Sequence, residues 1–141
     1  TEMITEIYVP RARLADFMSE VADDFRRTEV DVVYGTIRLI ERDDVTFLPW
    51  ARDRWACVIL NLHTVHTAVG LEHAAAAFRR LIDMAIARGG SYFLTYHRWA
   101  RPDQVEACYP EFRSFLAAKR SYDPDERFQS DWHRHYATLL A

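Results

Sequence analysis

The sequence has little cysteine, glycine or proline, and it has no long apolar run. Its 141 residues include two cysteines, four glycines and five prolines. Cys57 and Cys108 are far apart and form no C-x-x-C pair, which excludes the common zinc and dithiol motifs and favours a reducing cytoplasm. The low glycine and proline content excludes a collagen-like or disordered chain. No stretch reaches the roughly 18 apolar residues that a membrane-spanning helix needs.

An excess of positive charge is also absent. Eighteen basic and 21 acidic residues give a formal net charge of −3 at pH 7. Because a phosphate-binding surface needs a cationic face, we expect neither nucleic acid nor an anionic membrane as a partner. No G-x-S-x-G, Walker or G-x-G-x-x-G motif occurs, so the sequence indicates neither a hydrolase elbow nor a nucleotide-binding loop.

Half of the residues are hydrophobic, and this content predicts one packed domain over residues 1–141. A chain of this length can bury about two-thirds of its unfolded surface. It begins with "TEMITEIYVP", without an initiator methionine and almost directly in a strand pattern. We therefore expect a domain cut from a longer protein.

Apolar periodicity predicts an alternation of strands and helices along the chain. The loop or short edge strand "TFLPWARD" falls between the second and third strands, since Pro49 cannot donate to a ladder. The predicted elements are a strand closed by Pro10, a helix over Arg11–Arg27, strands over Val33–Glu41 and Trp55–His63, a helix over Gly70–Arg88, a strand over Ser91–His97, two helical segments split by Pro110, and a helix over Asp131–Leu140.

The order β-α-β-β-α-β is typical of the ferredoxin-like split βαβ arrangement, an α+β fold. Right-handed crossovers place both helices on one face of a four-stranded antiparallel sheet with the strand order 4-1-3-2. The helices at the carboxyl end are additions to this core. The sheet face opposite the first two helices, here named the open face, is expected to be uncovered.

Strand alternation predicts which side chains line the open face. The mixture of aromatic, aliphatic and polar residues there suits neither water nor an ordinary core, so this face is expected to meet a partner. Tyr92, Leu94 and Tyr96 are predicted to point toward the helices. The predicted open-face residues are Tyr34, Thr36, Arg38, Ile40, Trp55, Cys57, Ile59, Asn61, His63, Phe93, Thr95 and His97.

Arg38 and His97 are the polar open-face residues whose side chains are best suited to catalysis. Three strand spacings would separate them by about 14 Å, so they could flank a flat molecule but not touch. A hydrogen-bonded structural role for His97 and a surface ion-pair role for Arg38 stay open. No metal is predicted, because His133 and His135 are two residues apart and do not share a helix face.

Three segments together resemble the carboxy-terminal substrate-cap domain of FAD-linked oxidases of the vanillyl-alcohol oxidase superfamily. The segments are "YGTIRLIERDDVTFLPWARD", "TYHRWA" and "YPEFRSFLAAKRSYDPDERFQS". The sugar-alcohol and aldonolactone oxidase branch is the most similar. Its E-I-R motif with a D-D turn is matched by Thr36-Ile37-Arg38 with Asp43-Asp44, its H-W-G-K motif by His97 to Ala100, and its L-D-P-x-x-x-F motif by Tyr122 to Phe128.

Two positions depart from this pattern. Thr36 stands where the acidic residue of E-I-R is expected. The lysine of H-W-G-K is replaced by Ala100 or, in a shifted alignment, by Arg101. The identity of the substrate therefore does not carry over from the resemblance.

The resemblance implies a cap that lies over the flavin ring, with its open face as the roof of the substrate pocket. Arg38 would orient or polarise a substrate oxygen. His97 would lie near the flavin or take the hydroxyl proton, while the substrate hydride passes to the flavin. The implied catalytic residues are Arg38 and His97, the implied substrate contacts are Tyr34, Thr36, Asn61, His63 and Thr95, and the implied cofactor contacts are His97 and Trp99.

The resemblance also implies partners. FAD would be bound mainly by a domain outside these 141 residues, so the chain alone would be inactive, and its partners would be that domain and a small-molecule substrate. A homodimer stays open. One alternative is a free-standing ferredoxin-like domain that dimerises through its sheet around a small ligand, and another is an interaction module without enzymatic activity.

Overall fold

The structure, a computed structural model, describes residues 1–141. It contains one sheet, five α-helices and a short 3-10 turn over Arg11–Arg13. The elements are β1 (Glu2–Pro10), α1 (Leu14–Arg27), β2 (Val32–Ile40), β3 (Trp55–His63), α2 (Ala68–Ile86), β4 (Ser91–Tyr92), α3 (Pro102–Cys108), α4 (Phe112–Tyr122) and α5 (Asp131–Leu139). None of the helices combines the length and the apolar character needed to cross a bilayer.

The four strands form one antiparallel sheet in the order β2-β3-β1-β4. The predicted ferredoxin-like α+β fold and its strand order are therefore confirmed. β1 and β3 pair along their whole length, whereas β4 contributes only two residues next to β1. A register irregularity between Val32 and Tyr34 interrupts the pairing of β2 with β3.

Helix α2 has clear start and stop signals. The Thr67 side chain accepts a hydrogen bond from the Gly70 backbone N–H at its amino end, as an N-cap residue does. After the helix, Gly89 takes a φ of 74°, which suits glycine. A side chain at Gly90 would stand 2.0 Å from the Tyr8 carbonyl oxygen, so the turn passes directly against β1.

The main core lies between the sheet and the helices. Side chains of β1 and β3 on the helix side, such as Ile7 and Val58, meet Phe17 of α1 and Phe78 of α2 in one cluster. The helices at the carboxyl end extend this cluster through Phe112, and the main core therefore runs through the whole domain.

The segment "YDPDERF" is a structural turn. Asp123 accepts hydrogen bonds from the backbone N–H groups of Arg127 and Phe128 and from the ammonium group of Lys119. These donors, the Lys119 ammonium first, hold the pKa of Asp123 below its usual range. The carboxylate thus fixes the connection between α4 and α5.

The predicted fourth strand over Ser91–His97 is wrong beyond Tyr92. Phe93 still donates its N–H to the Glu6 carbonyl at 2.9 Å. The Leu94 carbonyl then accepts from Trp132 Nε1 at 3.1 Å and from the Tyr136 hydroxyl at 3.4 Å. Side chains of α5 thus take the hydrogen bond that β1 would have supplied, and the backbone turns away from the sheet.

The expectation of an uncovered open face is only partly correct. The β2–β3 connection, residues 41–54, folds over one end of it. Trp50 meets the Tyr8 ring edge-on at 5.7 Å, and Ala51 is fully buried. Tyr8, Ala51, Trp55, Cys57 and Ile59 form a second buried cluster there.

Candidate functional site

The sheet register sets rows of side chains across the open face. One row runs from Arg38 through Cys57 to Tyr8. The next row runs from Thr36 through Ile59 to Glu6. A third row runs from Tyr34 through Asn61 to Ile4, and His63 lies opposite Glu2 beyond it.

The candidate site is the part of this face that the β2–β3 connection leaves uncovered. Thr36 and Asn61 are half-buried there, whereas Tyr34, Arg38 and His63 are exposed. Five of the predicted site residues thus share one surface. Their substrate and catalytic roles stay predictions.

The half-buried Glu6 occupies the middle of this surface. Its Oε1 accepts hydrogen bonds from the Tyr8 hydroxyl at 2.6 Å and from the Cys57 Sγ at 3.2 Å. Burial, and then the bond to Glu6, raises the pKa of Tyr8 and of Cys57. Both groups are therefore held protonated as donors to the carboxylate.

Tyr96 closes the side of the site next to β4. Its ring meets Phe93 edge-on at 4.9 Å, and the side chain is partly exposed. Burial and then the charge of Glu6 raise the pKa of its phenol, whereas Arg38 lowers it. The charges of Glu6 and Arg38 therefore both reach the Tyr96 phenol on the open face.

The predicted placement of His97 on the open face is wrong. His97 is 5% exposed, and its ring centroid lies 4.2 Å from that of Phe78 on α2. The turn after Leu94 reverses the alternation, so Tyr96 points outward and His97 inward. Burial lowers the pKa of His97 to about 4, and its Nδ1 has no hydrogen-bond partner. Arg38 and His97 therefore do not flank a common molecule on this surface.

The other predicted residues of this segment also lie elsewhere. Trp99 packs against the main core, with its ring 5.1 Å from that of Phe78, and its predicted contact with the cofactor stays a prediction. Thr95 is exposed but lines a cleft with Asp131 of α5. Arg101 pairs with Asp83 and Asp103 on the helix layer, so it supplies no cation to the open face.

Sequence reasoning missed Glu6 and Tyr96 as site residues. A signal for Glu6 was present, because Glu6 alternates with Ile4 and Tyr8 on a strand that the predicted order places at the centre of the sheet. No comparable signal existed for Tyr96. Its outward orientation depends on contacts between Leu94 and α5, which no local pattern contains.

An α+β domain with a polar and aromatic sheet face can be compared with known families. The profile of the family described as D-arabinono-1,4-lactone oxidase matches residues 2–136. The chain belongs to this family. The resemblance inferred from the sequence motifs is therefore confirmed. No curated protein gives a significant match.

Membership of the D-arabinono-1,4-lactone oxidase family supports a coarse assignment. The chain corresponds to the carboxy-terminal domain of FAD-linked oxidases of the aldonolactone oxidase-like branch. It is thus part of an oxidoreductase family that uses FAD.

Proposed function

We propose that this domain is the substrate-binding cap of an FAD-dependent oxidoreductase that oxidises an alcohol or similar small polar substrate. The observation that carries the proposal is the uncovered part of the open face, where Arg38, Glu6 and Tyr96 surround a patch of strand side chains. An uncovered sheet face with this much aromatic surface is rare in a self-sufficient domain, because exposed apolar patches of this kind mark interaction sites.

The residues fit a roof over a flat ring but not a site for a whole dinucleotide. Tyr34 is 54% exposed and Tyr96 is 41% exposed, so aromatic surface is available for contact. The four glycines form no G-x-G-x-x-G loop for a pyrophosphate. We therefore infer that FAD is held mainly by a separate domain, and that bound FAD would supply the hydride acceptor.

The residues on the uncovered face would bind and orient the substrate. The Arg38 guanidinium is a planar cation with several fixed donors, so it would polarise a substrate oxygen. Tyr34, Thr36, Asn61 and His63 would supply further hydrogen bonds around the substrate. The buried cluster at Trp55 and Ala51 would exclude water from one side.

The test is Arg38→Ala in the intact flavoprotein. We expect the rate at which substrate reduces the flavin to fall by about 100-fold or more, because a charged donor that stabilises the reacting oxygen is lost. The FAD content should stay unchanged. Anaerobic stopped-flow absorbance at the flavin band would measure the rate, with D-arabinono-1,4-lactone and simple sugar alcohols as substrates.

Arg42→Ala is the matched control, since Arg42 lies just after β2 and pairs with Asp44 on the surface. Substrate should reduce the flavin of this variant at the wild-type rate. If substrate reduces the flavin of Arg38→Ala as fast as that of the control, Arg38 is not part of the site. A wild-type protein that binds FAD but is reduced by none of these compounds would overturn the proposed substrate class.

A further inference from the structure

A polar cleft lies along α5, away from the strands of the sheet. Its larger part has a volume of about 480 Å³ and is lined by Arg98, Asp131, Arg134, His135, Thr138 and Leu139. A smaller part of about 270 Å³ shares Arg98 and Asp131 with it and reaches Tyr96 and His97. The two parts together are here named the α5 cleft. No strand residue lines either part, so the α5 cleft borders the candidate site only at Tyr96.

Positive charge exceeds negative charge in the α5 cleft. Arg98 is exposed and takes part in none of the 15 ion pairs of the domain. Asp131 is the one acidic residue of the lining, and its carboxylate pairs with one amino group of Arg134. The lining therefore carries two guanidinium groups and one carboxylate, although the whole chain has a net charge of −3.

The charge of Arg98 reaches the side chains of α5. The hydrogen bond from Arg134, and more weakly the charge of Arg98, lowers the pKa of Asp131. Burial, and then the charge of Arg98, lowers the pKa of His135. Asp131 is therefore ionised and His135 is neutral at pH 7, so the positive charge of the α5 cleft comes from the two arginines.

His97 adds a polar group without a partner to the smaller part of the cleft. The residue is 5% exposed and lines this part. Its Nδ1 is enclosed and has no hydrogen-bond partner, whereas its Nε2 is not among the enclosed atoms. Nε2 is thus the ring nitrogen that can meet a ligand in the cleft. A ligand oxygen that accepts the Nε2–H would satisfy a polar group that the chain itself leaves unpaired.

We propose that the α5 cleft binds a phosphate group, with Arg98 as the main cation and with Arg134 and His97 as further donors. Guanidinium groups match phosphate oxygens in both charge and geometry. The donors come from two segments, the loop after β4 and α5, so they can meet different oxygens of one tetrahedral group. The larger part of the cleft leaves space for the organic part of a phosphate ester. This inference goes beyond the proposed function and does not depend on it.

The test is a titration of the 141-residue chain, followed by amide NMR at pH 7 and constant ionic strength. The probes are sodium phosphate, glycerol 3-phosphate and sodium acetate. We expect both phosphate compounds to shift the amide signals of residues 95–98 and 131–138 in a saturable way. Acetate should bind more weakly, because its two oxygens in one plane cannot serve all three donors.

Two variants change the affinity in opposite directions. Arg98→Ala should weaken the binding of phosphate by about 10-fold or more, because a hydrogen bond between two charged groups is lost. Asp131→Asn should strengthen it by about 3-fold, because the one opposing charge is removed. Arg127→Ala is the matched control, since Arg127 is also exposed and also takes part in no ion pair. It should bind phosphate as the wild type does, and the same spectra report whether each variant is folded.

The comparison of the two phosphate compounds identifies the source of the group. Tighter binding of glycerol 3-phosphate would assign the cleft to a phosphorylated small molecule, and equal affinities would assign it to free phosphate. The proposal is overturned if neither compound gives saturable shifts in the wild type, if acetate binds as tightly as phosphate, or if Arg98→Ala and Arg127→Ala lose equal affinity. None of these measurements involves the flavin, so a failure of the proposed function would leave them unchanged.

Discussion

At the scale of single residues, His97 and Tyr96 show how one turn decides which side chain meets a ligand. Both residues lie beyond the end of β4, so strand alternation does not decide which of them meets the open face. The turn after Leu94 selected the buried position for the imidazole and the exposed one for the phenol. The motif "TYHRWA" therefore supplies the open face with a tyrosine instead of a histidine.

The buried His97 makes stability depend on pH. Its pKa is lowered to about 4 by burial, whereas a histidine in an unfolded chain titrates near 6.5. As the pH falls, the unfolded state therefore takes up the proton before the folded state does. The contribution of neutral His97 to the free energy of unfolding is thus fully present above about pH 6.5 and is lost as the pH falls toward 4. Between pH 7 and pH 4.5 the free energy of unfolding should fall in both proteins. We expect the fall to be about 2 kcal/mol smaller in His97→Phe than in the wild type, because phenylalanine takes up no proton.

Urea unfolding of this chain at the two pH values would measure that difference. His66→Gln serves as the control, because His66 is exposed and should leave the pH dependence unchanged. Equal losses of unfolding free energy in His97→Phe and in the wild type would show that the imidazole is not shielded from solvent.

At the scale of elements, local pattern was sufficient for the helices and the long strands. Three or four residues separate successive apolar positions in α1 and α2, and this period does not depend on distant contacts. β4 was different, because a two-residue strand is defined by its partner. The covering of Tyr8 by Trp50 likewise depends on how residues 41–54 cross the sheet, and composition does not determine that path.

The contact between α1 and α2 depends on a buried carboxylate. Asp24 is 2% exposed and accepts from Arg80 Nε of α2 at 2.8 Å and from Arg27 at 2.7 Å. We expect Asp24→Ala to lower the free energy of unfolding by about 2 to 4 kcal/mol, because two guanidinium groups lose a desolvated partner.

The neighbouring Asp23 provides a matched control. It pairs with Arg26 on the surface, where both side chains are more than 70% exposed. Asp23→Ala should therefore change the free energy of unfolding by less than about 0.5 kcal/mol. Denaturant titrations that show equal losses for the two variants would contradict the proposed importance of the buried carboxylate.

At the scale of the whole molecule, β2 is an edge strand that the domain does not cover. Ile37 is 47% exposed and Leu39 is 66% exposed on the helix side, while Tyr34 is exposed on the open face. Edge strands with apolar side chains on both faces need protection from other chains. This strand is therefore expected to be covered by the proposed FAD-binding domain.

Leu39→Lys tests this expectation. In the 141-residue chain the substitution should change the free energy of unfolding by less than about 0.5 kcal/mol, since Leu39 has few neighbours to lose. In the intact flavoprotein it should lower the unfolding temperature and the FAD content, because a lysine would be buried at the domain contact. Equal effects in the chain and in the intact protein would argue against a partner on β2.

The sequence by itself determined the strand order, the face on which Arg38 lies and the family, because strand alternation, helix periodicity and motif spacing depend on neighbouring residues. Only the tertiary structure decided that Glu6 is fixed by Cys57, that Trp50 and Ala51 cover one end of the sheet, and that His97 is buried. Each of these depends on hydrogen bonds or packing between segments far apart in the chain, such as the bond from Trp132 to Leu94 across 38 residues.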